Sequence, residues 1–188
     1  MSQLHTDLHI DLLEPAGFDD FLLYINDHLS DNGQGDTAYF QPLSRAESRL
    51  PADKVDAFRT GMQTPLDAPG WRRFWLARTA DGRIAGHLDL RAHPERYATH
   101  RCVLGMGVDR AFRQLGLGSR LIDHAAQWAR TSAQRAWIDL QVLSVNAPAI
   151  RLYQSKGFEQ TGEIPDLFRI DGNSFAFTGM SKRLDTII

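Results

Sequence analysis

A chain of 188 residues with a single cysteine cannot close an internal disulfide, and its histidines show no paired spacing with that thiol of the kind that makes a zinc site. A reducing cytoplasm is therefore the expected setting, no metal is expected, and Cys102 reads as a small core residue rather than a nucleophile. Positive charge is also in short supply. The 21 basic side chains face 23 acidic ones and lie scattered, which argues against nucleic acid as a partner. Nowhere do 18 apolar residues run together, and the opening Met-Ser-Gln-Leu-His-Thr-Asp has no basic stretch followed by an apolar one, so neither membrane insertion nor export is predicted. Internal repeats are lacking as well. What is present, 43% hydrophobic residues, suffices to bury one sizeable core, and a single domain over 1–188 is expected.

Leu8 to Leu13 reads as a strand broken by Pro15 and Gly17. Phe18, Phe21, Leu22, Ile25 and Leu29 then recur at three- and four-residue steps, the mark of a helix with one apolar face, until Asp31-Asn32-Gly33 ends the pattern. Residues 33 to 69 read as helical with irregular joins: Ser44 can cap a short helix, and Val55, Phe58 and Met62 mark a face of another, between prolines 51, 65 and 69. Arg73–Thr79 and Ile84–Arg91 flank Ala80-Asp81-Gly82-Arg83 and predict a hairpin. On its second strand His87, Asp89 and Arg91 share one side, either a solvated face or the polar lining of a cleft. A strand from His100 to Val108, a helix from Leu117 to Thr131, a strand from Ala136 to Leu143 and a helix from Ala147 to Lys156 follow. Strands near Phe158–Ile164 and Phe175–Arg183 close the chain, with a turn at Asp171-Gly172-Asn173.

The junction Val108-Asp109-Arg110-Ala111-Phe112-Arg113-Gln114-Leu115-Gly116-Leu117-Gly118-Ser119 leads from an apolar strand directly into an amphipathic helix. Unpaired N–H groups and the positive end of the helix dipole favour an anion there, and glycines let the backbone come close to a phosphate. Arg113 can add a forked cationic donor. Neither a Gly-Lys-Ser/Thr phosphate loop nor the third glycine of a dinucleotide fingerprint is found.

Arg113-x-x-Gly116-x-Gly118 after a strand resembles the acyl-CoA pyrophosphate motif of the GNAT N-acetyltransferase superfamily. Asn146-x-x-Ala149-x-x-Leu152-Tyr153-x-x-x-Gly157-Phe158, placed after the next strand, resembles its second signature. The resemblance implies an α/β (α+β) GNAT fold, with a mixed, mostly antiparallel sheet of about seven strands splayed in the middle and flanked by about four helices. It also implies acetyl-CoA as co-substrate. Main-chain groups around Met106, Gly107 and Val108 would bond the pantetheine arm, and the amides of Arg113, Gln114, Leu115, Gly116, Leu117, Gly118 and Ser119 the pyrophosphate. Asn146 would contact the arm, and Tyr153 would lie near the sulfur. Asn146 is equally a cap for a helix that Pro148 helps begin, and Tyr153 equally a core residue by its spacing.

An amine attacks a thioester only when neutral, yet lysine-type amines titrate at about 10.4 and α-amines at about 8. Such a site needs a proton acceptor and a donor for the departing sulfur. Tyr153 is the candidate general acid. Members of the superfamily often carry a glutamate on the strand before the pyrophosphate loop, but His100-Arg101-Cys102-Val103-Leu104-Gly105-Met106-Gly107-Val108 has no carboxylate. His87 is the candidate base, with Asp89, His100 and Asp139 behind it, while His93, His124 and the N-terminal histidines read as surface residues. The acceptor, a primary amine of a small molecule or of a protein, is expected between residues 30–50 and 164–173, where Trp71, Trp75, Phe168, Phe175 and Phe177 are candidates for an apolar wall or for core. A non-catalytic acyl-CoA-binding module, and transfer to a hydroxyl or of a longer acyl chain, are the alternative readings. Monomer and homodimer are both compatible with the sequence.

Overall fold

In the computed structural model, which describes residues 8–184, seven strands form one sheet in the order β1-β2-β3-β4-β5-β7-β6. The strands are β1 (His9–Leu12), β2 (Arg72–Arg78), β3 (Ile84–Ala92), β4 (Arg101–Val108), β5 (Trp137–Leu143), β6 (Glu159–Ile170) and β7 (Asn173–Arg183). Four helices flank them: α1 (Phe18–Ser30), α2 (Ala52–Gln63), α3 (Leu117–Thr131) and α4 (Ala147–Ser155). Residues 1–7, including His5 and the opening read above for a leader, lie outside the described part.

The expected helix at 18–29 forms because Phe18, Phe21, Ile25 and Leu29 bury one stripe against Phe74, Leu76 and Ile84. Burial of one such side chain contributes about 1.5–3 kcal/mol, so the stripe outweighs the missing N-cap. Helix α2 packs Val55, Phe58 and Met62 on the same cluster. On the opposite face, Leu121, Ile122, Ala125 and Ala129 of α3 cover Leu88, Leu90, Cys102, Leu104, Ile138 and Leu140. Trp71 and Trp75 belong to this core, with the Trp75 and Trp128 rings 4.9 Å apart, and of the two only Trp71 also borders the cavity beside Arg72. Burial pushes the Cys102 thiol up to about 12, which leaves it inert at neutral pH.

Three expectations needed revision. The Asp81-Gly82 pair would supply positive dihedrals to a two-residue turn, but only Gly82 has a positive φ, at +86°. Its N–H closes a turn on the Thr79 carbonyl at 2.9 Å that leaves only the glycine left-handed. The short helix after Ser44 is a single 3-10 turn, Arg45–Glu47. The segment 164–173 is largely strand rather than loop: pairing slips where Pro165 offers no N–H and Asp166 takes φ +49°, then resumes as Phe168 faces Phe175.

Every neighbouring pair is antiparallel except β4 and β5. These two run parallel and are in register only from Arg101–Trp137 to Val103–Asp139. Beyond that point they part.

Candidate active site

The parting leaves the last five residues of β4 without a partner on one edge, and the ladder dictates which of them face the gap. The N–H of Asp109 donates to Ala85 of β3 at 3.0 Å, whereas the carbonyl of His100 accepts from Ala136 at 2.8 Å on the other side. Odd residues of β4 therefore bond to β3 and even ones turn toward β5. Leu104, Met106 and Val108 present main-chain groups to the gap, while those of Gly107 face its β3 partner His87. The Val108 carbonyl also accepts from Nε of Arg113 at 3.2 Å.

Helix α3 opens on the same gap. Gly116 stands at its N-cap with φ +78° and no side-chain cap, so the N–H groups of the first turn keep their donors for an outside acceptor. A Cβ on Gly116 would meet nothing within 4 Å; one on Gly118 would stand 2.7 Å from Leu152 Cδ2 and 3.3 Å from Met106 Cε. Gly118 thus holds α3 against α4 and β4, and the glycine in open space is Gly116. Gln114 and Leu115 are exposed, Ser119 half-buried and Leu117 buried in the core. The Arg113 guanidinium turns inward, with NH2 3.6 Å from Asp31, a carboxylate that also takes Arg110 at 3.0 Å.

Asn146 caps α4 by accepting from Ala149 N at 3.3 Å, which leaves its amide N–H groups for another partner. Tyr153 is buried, its ring 5.7 Å from Phe158, and burial holds its hydroxyl protonated far above neutral pH.

On the other face of the sheet, His87 and Asp89 are each 7% exposed, which excludes a solvated row. Asp89 lies over Gly105, its carboxylate 3.1 Å from Arg91 NH1 and 3.6 Å from Arg72 Nε. His87 joins Tyr24 and His28 of α1 above Gly107. Burial lowers both imidazoles, His28 to about 4 and His87 well below the ordinary value, with Arg113 adding to the first and His28 to the second. The other candidate bases fare worse. His100 is exposed, away from this group. At Asp139 burial raises the carboxyl, but hydrogen bonds from Arg101 and Ser181 outweigh it, so it titrates below its usual range. His93 is half-buried, 3.9 Å from Asp139, and His124 is exposed at the rim of Trp75.

A cavity of about 670 Å³ opens beside Arg72 and Arg91, walled by Phe58 and Lys54 of α2 and by Asp139 and Gln141 of β5. The segment 30–50 and the β6–β7 turn meet across this side of the sheet: Tyr39 Oη donates to Asp171 at 2.6 Å, and the Tyr39 ring packs 5.0 Å from Phe175. Phe168, Phe175 and Phe177 gather there with Leu143 and Ile170.

The buried histidine also makes stability depend on pH. His28 binds its proton at about 4 in the fold but near 6.5 unfolded, so between these values the unfolded chain binds more protons and stability falls as pH falls. The loss from His28 is about 3 kcal/mol across the window, and His87, also lowered by burial, adds to it in the same direction. Urea denaturation from pH 7 to pH 4 should show it, with His28→Gln flattening the slope.

The Acetyltransferase (GNAT) family matches residues 41–158, more than half of the chain. The protein belongs to the GNAT acetyltransferase family. This GNAT chain is 34% identical over 102 residues to the L-amino acid N-acetyltransferase AaaT of Escherichia coli (strain K12), covering 51% of the chain and 58% of AaaT. It is 36% identical over 72 residues to N-alpha-acetyltransferase 60 of Danio rerio, covering 37% of the chain and 30% of that protein. The matches thus span less than two thirds of either relative. Among solved structures, yncA of Salmonella typhimurium, determined with its cofactor acetyl-CoA, superposes with TM-score 0.75 at 18% identity over 97% of both chains. The ribosomal-protein-alanine N-acetyltransferase of Brucella melitensis gives 0.74 at 19%, over 94% of this chain and 100% of that one. These likenesses establish the GNAT fold, a seven-stranded mixed sheet with four helices.

Tyr24, His28, Arg72 and the gap-facing Leu104 stand beside the candidate residues and were not read from the sequence. Tyr24 and His28 stand four apart beside the apolar stripe of α1, a polar pair on the edge of a buried face. That spacing was the available signal. Among the described residues no group of three or more His, Cys, Asp or Glu side chains is arranged to hold a metal ion, and no helix is long and apolar enough to cross a membrane.

Proposed function

We propose that this chain transfers the acetyl group of acetyl-CoA to the primary amine of a small molecule that also bears a carboxylate, by direct attack in a ternary complex. The parting of β4 from β5 after three paired residues carries the reading, because it aims unpaired main-chain groups into a gap that an extended arm can fill as an added strand. The residues present fit such a ligand. Met106 and Val108 would bond the arm, the amides from Arg113 to Ser119 the pyrophosphate, and the Asn146 amide the arm again. When bound, acetyl-CoA supplies an activated acyl carbon and a sulfur leaving group.

Tyr153, kept protonated by burial, holds a proton for that sulfur. His87 is kept neutral at physiological pH by burial and belongs to the imidazole group placed to accept a proton from the amine nitrogen. Arg72 and Arg91 share the single carboxylate of Asp89, which leaves one positive charge uncompensated beside the cavity and suits an anionic group on the acceptor. The name of AaaT, an L-amino acid N-acetyltransferase, supports that class of acceptor.

Titration calorimetry with acetyl-CoA, followed by a thiol-release assay over amino acids and their decarboxylated amines, tests the reading. Binding of acetyl-CoA with turnover of the amino acids is expected; folded protein that binds no acetyl-CoA sinks it. Tyr153→Phe should leave acetyl-CoA affinity unchanged and lower kcat by about a hundredfold. Normal turnover in that variant removes the proton-donor role.

A further inference from the structure

His28 and His87 come from different elements, α1 and β3, yet converge on one point of β4. A Cβ built on Gly107 would stand 2.5 Å from Nε2 of His28 and 2.6 Å from Cε1 of His87, so the two rings occupy the space in which a side chain at 107 would stand. Their centroids are 5.6 Å apart with planes at 81°. Tyr24 completes the group, stacked on His28 at 6.0 Å and with its hydroxyl 3.2 Å from Nδ1 of His87. Phe40 covers His28 at 4.9 Å and Phe21 packs on His87 at 5.7 Å. Among the described residues, Nδ1 of His28 is buried without a hydrogen-bond partner. A polar ring in an aromatic surround, with one nitrogen unpaired, is a costly filler where phenylalanine or leucine would pack without that penalty.

The strand beneath lacks the side chain that would do acid–base work from β4. Its residues on this face are Arg101, whose guanidinium is engaged by Asp139, then Val103, Gly105 and Gly107, and the two glycines are overlaid from β3 and α1 by Asp89 and by the imidazole pair. Gly107 lies between Met106 and Val108, whose main-chain groups line the gap, so Nε2 of His28 stands on the strand that an acyl group in the gap would follow.

We infer that His28 and His87 work as one proton-accepting unit seated on Gly107, with Nε2 of His28 receiving the proton that the acceptor nitrogen loses as it is acylated. This rests on the acetyltransferase reading above. The amine arrives neutral. As its lone pair bonds to the acyl carbon and the carbon–sulfur bond breaks, the nitrogen becomes strongly acidic and an N–H bond passes to His28. A weakly basic, neutral imidazole is sufficient at that moment. The departing sulfur takes a proton from Tyr153, which is refilled from solvent while the imidazolium releases its own proton there, so charge and protons balance over the cycle. Two imidazoles this close take up one proton between them rather than two. The charged groups around them are Asp31 and Asp109, which favour the protonated form of His28, and Arg110 and Arg113, which oppose it; the Tyr24 phenol, kept protonated by burial, adds no charge.

The test uses His28→Gln and the wild-type protein, with two readouts. In steady-state assays His28→Gln is expected to lower kcat by about a hundredfold, to leave acetyl-CoA affinity by calorimetry within about twofold, and to shift the acidic limb of the kcat/KM profile. In the cofactor-free protein, NMR of carbon-13-labelled histidine should show His87 titrating at higher pH in His28→Gln than in wild type, because the opposing neighbour is gone. A His28→Gln enzyme with unchanged kcat and pH profile overturns the inference while leaving the acetyltransferase reading intact, as does a His87 midpoint that ignores the substitution. A wild-type protein that acetylates no amine removes the underlying reading, and the inference falls with it.

Discussion

Ser119→Glu is expected to weaken acetyl-CoA binding by about a hundredfold while leaving the protein as stable as before, or slightly more so. Counting from the Gly116 cap, residue 119 is the third position of α3, where glutamate is favoured because it faces the positive end of the helix dipole and can reach the first-turn N–H groups. A carboxylate there about 5 Å from a phosphate charge repels it by about 3 kcal/mol at an effective dielectric near 20, which sets the factor. Calorimetry measures the affinity and a thermal melt the stability. Gly118→Glu is a less discriminating control, because any side chain at 118 must also displace the Leu152 side chain. Undiminished binding by Ser119→Glu places the pyrophosphate elsewhere than at α3.

Asn32→Ala should be the most destabilising single truncation outside the apolar core, by about 3 kcal/mol, lowering the melting temperature by roughly 10 °C. Asn32 is fully buried just past the end of α1, and its amide organises the loop that follows. Its Oδ1 accepts from the N–H groups of Phe40 and Gln41 at 2.8 and 2.9 Å, and its Nδ2 donates to the carbonyls of Gln41 and Leu43, each at 3.1 Å. Truncation leaves two loop N–H groups and two carbonyls without these partners. Phe40, which covers His28, and Tyr39, which bonds Asp171, stand on that loop, so KM for the acceptor should rise as well. Differential scanning calorimetry and acceptor titrations measure the two effects, and a variant as stable as wild type disproves the role.

Element types were readable where apolar periodicity was strong, as in α1, α3 and β3, because a buried stripe imposes its own period on the residues beneath it. The strand-to-helix junction was readable too, since glycines at fixed spacing after a strand answer a local backbone requirement, and Gly116 takes the left-handed cap of α3. Two things escaped. The strand character of residues 164–173 was hidden because Pro165 and Asp166 mark a turn locally, while the pairing of Phe168 with Phe175 that overrides them becomes visible only once β7 is in place. The imidazole cluster was hidden because it is assembled across elements: Tyr24 and His28 on α1, His87 on β3 and Gly107 on β4 have no sequence spacing in common. His87 and Asp89 were noticed for their alternation, but whether that face was wet or buried depended on where α1 and α2 came to rest.

The bare backbone of β4 also constrains how such a site can change by single substitutions. A glutamate introduced at 105 or 107, to supply from β4 the carboxylate it lacks, would collide with the Asp89 carboxylate or with both imidazoles, whose atoms lie 2.5–2.6 Å from where its Cβ must go. The exchange is open only if His28 and His87, or Asp89, are first replaced by smaller residues, so the two arrangements are separated by a valley of doubly impaired intermediates. Strand glycine and helix histidine should therefore show strong sign epistasis: Gly107→Glu alone harmful, and tolerated best in a background already carrying His28→Ala and His87→Ala.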